Sequence, residues 1–141
     1  MTDAEQRGRP LLGLSWSARA VLPATDRAPQ AARRLVATML GVWGAGAMVE
    51  VAELVASELV SNSVRHAGDG GDIELELSMD ERVVRLCVAD GSTLAPAIRI
   101  EREPGTGGLG LRLVDRVALR WGVDDYLFGK RVWVDLAIGS D

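Results

Sequence analysis

Between residues 72 and 77 the chain alternates strictly: Ile73, Leu75 and Leu77 are apolar, while Asp72, Glu74 and Glu76 are acidic. A period of two puts these sets on opposite faces of a strand, one dry and one wet. Asp80-Glu81 then makes a turn, and Val83 to Ala89 predicts a second, more buried strand. Upstream the period is helical. Ala31, Leu35, Met39 and Leu40 predict a first helix, N-capped by Asp26 and stopped near Gly41 to Gly44. Val51, Leu54, Val55, Leu59 and Val64 predict a second, from about Ala47 to Ala67, with Gly68 as its C-terminal stop.

Ahead of both helices, Trp16 to Leu22 predicts a strand ended by Pro23. Past the second strand of the acidic hairpin, residues 91–107 form an irregular loop broken by Pro96 and Pro104, and loops of that length are usually functional. Leu109 to Trp121 predicts a third helix. Gly122 to Leu127 and Arg131 to Ile138 predict a closing hairpin that turns at Gly129-Lys130. Strand pairs joined by such short turns give a mixed, mostly antiparallel sheet with its helices on one face, an α/β two-layer sandwich.

The polar stretch 1–15, with Pro10, is expected to be a flexible N-terminal segment, leaving 16–141 as one domain. A chain of 141 residues, 48% hydrophobic and 26% charged, is long enough to bury a core without disulfides. Its net charge of −4 argues against direct nucleic-acid binding, which needs a concentrated basic face, but leaves room for one phosphorylated small ligand. A single cysteine, Cys87, excludes an intrachain disulfide and reads as a small buried hydrophobe. One His and one Cys are too few for a usual zinc site. With no apolar signal core and no run able to span a bilayer, a cytoplasmic protein without membrane contact is expected.

Glu58, Asn62 and His66 follow one another at spacings of four on the second helix, so they share a face. A carboxamide oxygen suits a Mg²⁺ that otherwise keeps phosphate oxygens and waters, and a carboxylate one turn away can take a proton. Taken alone, the same string also describes a solvated helix face. Asp90-Gly91-Ser92 closes a buried strand, where an aspartate can accept the exocyclic amine of adenine, or simply make a turn. Gly105-Thr106-Gly107-Gly108-Leu109-Gly110-Leu111 runs into a helix, where backbone N–H groups and the helix N-terminus favour phosphate; a flexible hinge is the plain alternative. The dinucleotide fingerprint does not apply, because the stretch before the glycines, Ile100 to Pro104, is charged and proline-stopped rather than a strand. A phosphate-binding Walker loop is absent, since Arg131 follows Gly129-Lys130.

In this order and on these elements, the motifs resemble the Bergerat fold of the GHKL (histidine kinase-like) ATPases. Within that family they are most similar to the anti-sigma-factor serine/threonine kinases of actinobacteria. The resemblance runs from about Ala18 to Ile138. Glu58 to Ala67 matches the family's N box, Asp90 its G1 box and Gly108 to Val114 its G2 box. Arg120 to Val123 and Gly129 to Leu136 resemble the C-terminal signature of the actinobacterial branch.

The resemblance implies that Glu58 is the catalytic base and Asn62 the Mg²⁺ ligand. It implies that Asp90 reads the adenine of ATP, and that Arg65, His66, Ser92, Thr106, Gly107, Gly108, Leu109, Gly110 and Leu111 line the nucleotide. The loop from Gly91 to Gly107 would be the ATP lid. Ser92 stands where the G1 box has its first glycine, Thr106 where histidine kinases have glycine, and Lys130 and Arg131 where relatives often have threonine. The activity implied is phosphorylation of a STAS-type antagonist protein in partner switching, with a homodimer as the assembly. The alternative is a non-catalytic module that sequesters a sigma factor or antagonist. Val42, Trp43 and Met48 lie near the implied docking helices and are expected to be core.

Overall fold

The computed structural model describes residues 15–66, 71–91, 108–126 and 129–139. Strand β1 (Trp16–Pro23) leads into helix α1 (Ala28–Val42), a short 3₁₀ turn (Gly46–Met48) and helix α2 (Val49–His66). Strands β2 (Asp72–Met79) and β3 (Val83–Asp90), helix α3 (Gly108–Val117), and strands β4 (Arg120–Tyr126) and β5 (Gly129–Ala137) follow. The sheet order is β1-β2-β3-β5-β4. Every described pairing is antiparallel, so the α/β sandwich stands while the sheet is simpler than the mixed one expected. Among the described residues no helix is long and apolar enough to cross a membrane.

Register explains the core. Leu77, Leu86 and Val134 form one cross-strand row, and Leu75, Val88 and Val132 the next, all at most 4% exposed. Directly opposed residues point to the same face, so the alternation in each strand stacks into one apolar surface. Val36 and Leu40 from α1, Val55 and Val60 from α2, and Val114 from α3 close over it, none of them exposed. Each such side chain contributes about 1.5–3 kcal/mol by leaving water.

Several local boundaries differ from those the sequence suggests. Asp26 does not cap α1: Arg27 is the N-cap, and Thr25 Oγ1 accepts the Arg27 N–H at 3.2 Å. The buried face of α1 is Ala28, Ala32, Val36 and Leu40, offset from the larger residues Leu35 and Met39, which are half-buried. The helix ends in a Schellman turn, where Gly44 takes φ 79°. Gly44 N–H donates to Gly41 O at 3.2 Å and Ala45 N–H to Leu40 O at 2.8 Å. On α2 the small residues Ala52 and Ala56 are buried while Leu54 is 44% exposed, because α2 packs against both α1 and the sheet. Met48 is core as expected and Trp43 half-buried, but Val42 is 73% exposed.

Helix α3 stops at Val117, short of Trp121, because the chain is captured by β5: Leu119 N–H donates to Asp135 O at 2.8 Å. Trp121 therefore lies in β4, with its Nε1 on Asp115 Oδ1 at 3.0 Å. Gly129 and Lys130 belong to β5 rather than to a turn, since Gly129 already pairs with Tyr126. The hairpin between β2 and β3 is fixed by Asp80, whose Oδ1 accepts the N–H groups of Arg82 (2.8 Å) and Val83 (2.9 Å). The expected N-terminal segment (through residue 14) and the Gly68 helix stop lie outside the described residues.

The face of the sheet turned away from the helices is also organised in rows. Cys87 lies there, directly between Glu76 and Trp133, half-buried rather than in the core. Burial, reinforced by Glu76, pushes its thiol up to about 11. The nucleophilic thiolate is therefore scarce at neutral pH. Iodoacetamide at pH 8 should alkylate Cys87 about a hundredfold more slowly in the folded protein than in urea, as two pKa units imply. Similar rates in both states would show that the thiol is not perturbed.

Candidate functional site

The buried stripe of α2 turns polar in its last two turns. Ala52, Val55, Ala56, Leu59 and Val60 are followed by Asn62 and Ser63, which are 5% and 3% exposed. Glu58 is half-buried one turn before Asn62; Arg65 is exposed and His66 half-buried at the helix end. Basic side chains here also complement the helix dipole. The Asn62 carboxamide is fixed at both ends. Its Nδ2 donates to the Glu58 backbone carbonyl at 3.1 Å, and its Oδ1 accepts from Arg65 Nη2 at 2.8 Å.

Topology brings other candidates to the same place. The chain passes from His66 into β2 at Asp72, so the C-terminal half of α2 lies toward the edge where β2 begins. Antiparallel pairing ends β3, at Asp90, and begins β5, at Gly129, on that edge. Helix α3 packs against α2 and reaches β4 through Leu119, which bonds Asp135 toward the opposite edge; its first turn, Gly108, Leu109, Gly110 and Leu111, is thus at the Asp90 side. The C-terminal half of α2, with Glu58, Asn62, Arg65 and His66, thus lies toward the same end of the sheet as Asp90 and the start of α3. Ser92, Thr106, Gly107 and the expected lid beyond Gly91 lie outside the described residues.

Along β3 and β5 the core rows end in charge. The rung after Val88–Val132 is Asp90–Lys130. Lys130 Nζ donates to Asp90 Oδ1 at 3.0 Å and to Oδ2 at 2.9 Å, with only 7% of the lysine side chain and 1% of the aspartate side chain exposed. This ion pair is what sequence reasoning missed. Lys130 stood out only as a substitution for threonine; the signal for its role was the period of two from Leu136 through Val134 and Val132, which assigns Lys130 to the buried face.

The polar groups suit a polyphosphate. Exposed Arg65 and the N–H groups opening α3 offer donors and positive charge, and Asn62 offers one neutral oxygen. No cluster of three or more His, Cys, Asp or Glu side chains able to hold a metal occurs among the described residues. A single amide oxygen fits a Mg²⁺ that takes its remaining ligands from phosphate and water. Arg65, being exposed, can swing off Asn62 Oδ1 onto a phosphate oxygen.

The family model for the histidine kinase-like ATPase domain matches residues 22–133 of the chain. The chain belongs to that family. The matched stretch of this ATPase domain runs from the end of β1 to Trp133 in β5 and includes all of α2, β3 and α3. A search of the curated proteins finds no match.

The stretches Arg120 to Val123 and Gly129 to Leu136 have a structural role on the outer sheet face. Arg85, Asp135 and Arg120 form one rung and Cys87, Trp133 and Gly122 the next. Gly122 is needed because a Cβ there would lie 2.8 Å from the Trp133 ring. These residues hold β3, β5 and β4 together on the side away from the site.

Proposed function

We propose that this ATPase domain is an ATP-dependent serine/threonine protein kinase of the anti-sigma-factor type, phosphorylating a STAS-type antagonist in the cytoplasm. The supporting observation is that Glu58 and Asn62 lie one turn apart in the C-terminal half of α2, the half that leads into the sheet edge where Asp90 ends β3. ATP would place its base at Asp90 and its phosphates against α3, with Arg65 and His66 beside them. Asn62 would hold the Mg²⁺, which when bound screens phosphate charge. Glu58 takes the proton from the serine or threonine hydroxyl as its oxygen bonds to the γ-phosphorus; the bond to the β-phosphate oxygen breaks and ADP leaves. Positioning and charge neutralisation supply most of the rate.

Transfer of labelled phosphate from ATP to a cognate STAS-domain protein tests this. Glu58→Gln should slow transfer by at least about a hundredfold, the usual share of a general base, while ATP binding changes little. Equal rates for parent and variant would remove Glu58 from the mechanism. A second reading, a binding module that sequesters an antagonist or sigma factor without turnover, is favoured by the Lys130 ammonium on Asp90. ATP binding without transfer or hydrolysis would select it.

A further inference from the structure

The Asp90 carboxylate, which the proposed ATP site uses to read adenine, already has an amine on it. Lys130 Nζ contacts both oxygens, at 3.0 and 2.9 Å, and both side chains are buried. An ammonium presents three N–H donors and no acceptor, and the exocyclic amine of adenine also presents N–H donors. Both address the same acceptor, and the ammonium does so with a full charge, which strengthens the bond. Register keeps the two side chains within reach: Asp90 and Lys130 are cross-strand partners, so folding of the sheet by itself brings the ammonium to the carboxylate when no nucleotide is bound.

We propose that Lys130 is an internal competitor for base recognition, a specificity-determining residue that suppresses binding of amine-bearing nucleotides at Asp90. The proposal rests on the reading of this edge as the ATP site. A buried ammonium cannot be displaced into nothing. On its other side Lys130 pairs in register with Asp125 of β4, which is exposed. Directly opposed residues share a face, so Asp125 is the second seat: Lys130 sits on Asp90 when no base is bound and turns outward to Asp125 when one is. The site is thereby a two-position latch.

Calorimetric titration of ATP and inosine triphosphate, each with Mg²⁺, tests the latch. Inosine carries a carbonyl oxygen where adenine has its amine. In Lys130→Thr the Kd for ATP should fall about ten- to hundredfold, the range of a hydrogen bond to a charged group, while that for inosine triphosphate stays within about twofold. Asp125→Asn should weaken ATP binding in the parent and do nothing in the Lys130→Thr background. Melting curves without nucleotide report folding. Should Lys130→Thr not fold, Lys130→Gln, which keeps an N–H donor on Asp90, should still favour ATP over inosine triphosphate at least about threefold more than the parent. Equal changes for both nucleotides, or no tightening for ATP, would overturn the latch and leave the ATP site standing. No binding of either nucleotide to parent or folded variants would end both.

Discussion

Asp135→Ala should cost about 3–5 kcal/mol of stability and lower the melting temperature by roughly 10–15 °C. Asp135 is fully buried. Its Oδ1 accepts from Arg85 Nε at 2.6 Å, and its Oδ2 from Arg85 Nη2 and Arg120 Nε, each at 2.9 Å. Hydrogen bonding to this carboxylate raises the pKa of Arg85 beyond its already high ordinary value, so the guanidinium stays charged throughout. The pairing is bidentate and set by register, since Arg85, Asp135 and Arg120 are direct cross-strand neighbours on β3, β5 and β4. Removing the carboxylate leaves two guanidiniums side by side, 14% and 31% exposed, with no counter-charge between them. Arg85 also lies over the Trp133 ring, 5.7 Å from its centroid, so a displaced guanidinium disturbs the next rung. Domains of this size carry about 5–15 kcal/mol in all, so a loss of this order is a large share. Asp135→Asn keeps the shape and an acceptor and should lose less. Chemical denaturation showing under about 1 kcal/mol for Asp135→Ala would mean that water replaces the carboxylate and the rung is not structural.

Gly129→Ala should cost about 3 kcal/mol, the most damaging substitution among the glycines whose surroundings are described. A Cβ at Gly129 would overlap the Asp90 carbonyl oxygen and lie 2.6 Å from Gly91 Cα and 2.8 Å from the Asp90 carbonyl carbon. All three atoms are backbone, so no rotamer change relieves the clash; β3 and β5 must separate where Asp90 and Lys130 meet. The melting temperature should drop by roughly 10 °C, and nucleotide binding should weaken beyond what the lost stability explains. Gly91→Ala is the control, because nothing lies within 4 Å of its Cβ position. If the two variants melt and bind alike, β5 is not held that tightly against the end of β3.

Much of the molecule was legible from patterning because burial and periodicity are linked directly. The acidic-apolar alternation of residues 72–77 gave β2 its correct inner face, and the spacing of four put Glu58 and Asn62 on one side of α2. Errors arose where size was taken for burial. Leu54 is exposed and Ala52 buried, since the crossing with α1 and the sheet sets which stripe of α2 is covered, and small residues let the layers approach. The end of α3 was misplaced for a similar reason: helical spacing continues through Trp121, but Leu119 and Arg120 are drawn off by Asp135, which lies well over a dozen residues downstream.

The sequence alone determined the element order, the inner face of β2 and the residue types available for phosphate chemistry, because these depend on neighbours a few positions apart. Only the tertiary structure decided what each polar group touches. The register of β3 against β5 joins Asp90 to Lys130 across forty positions, and places Asp135 between two arginines from different strands. Pairing over such separations follows from which strands lie side by side and in what phase, a property of the folded sheet that no local window of the chain contains.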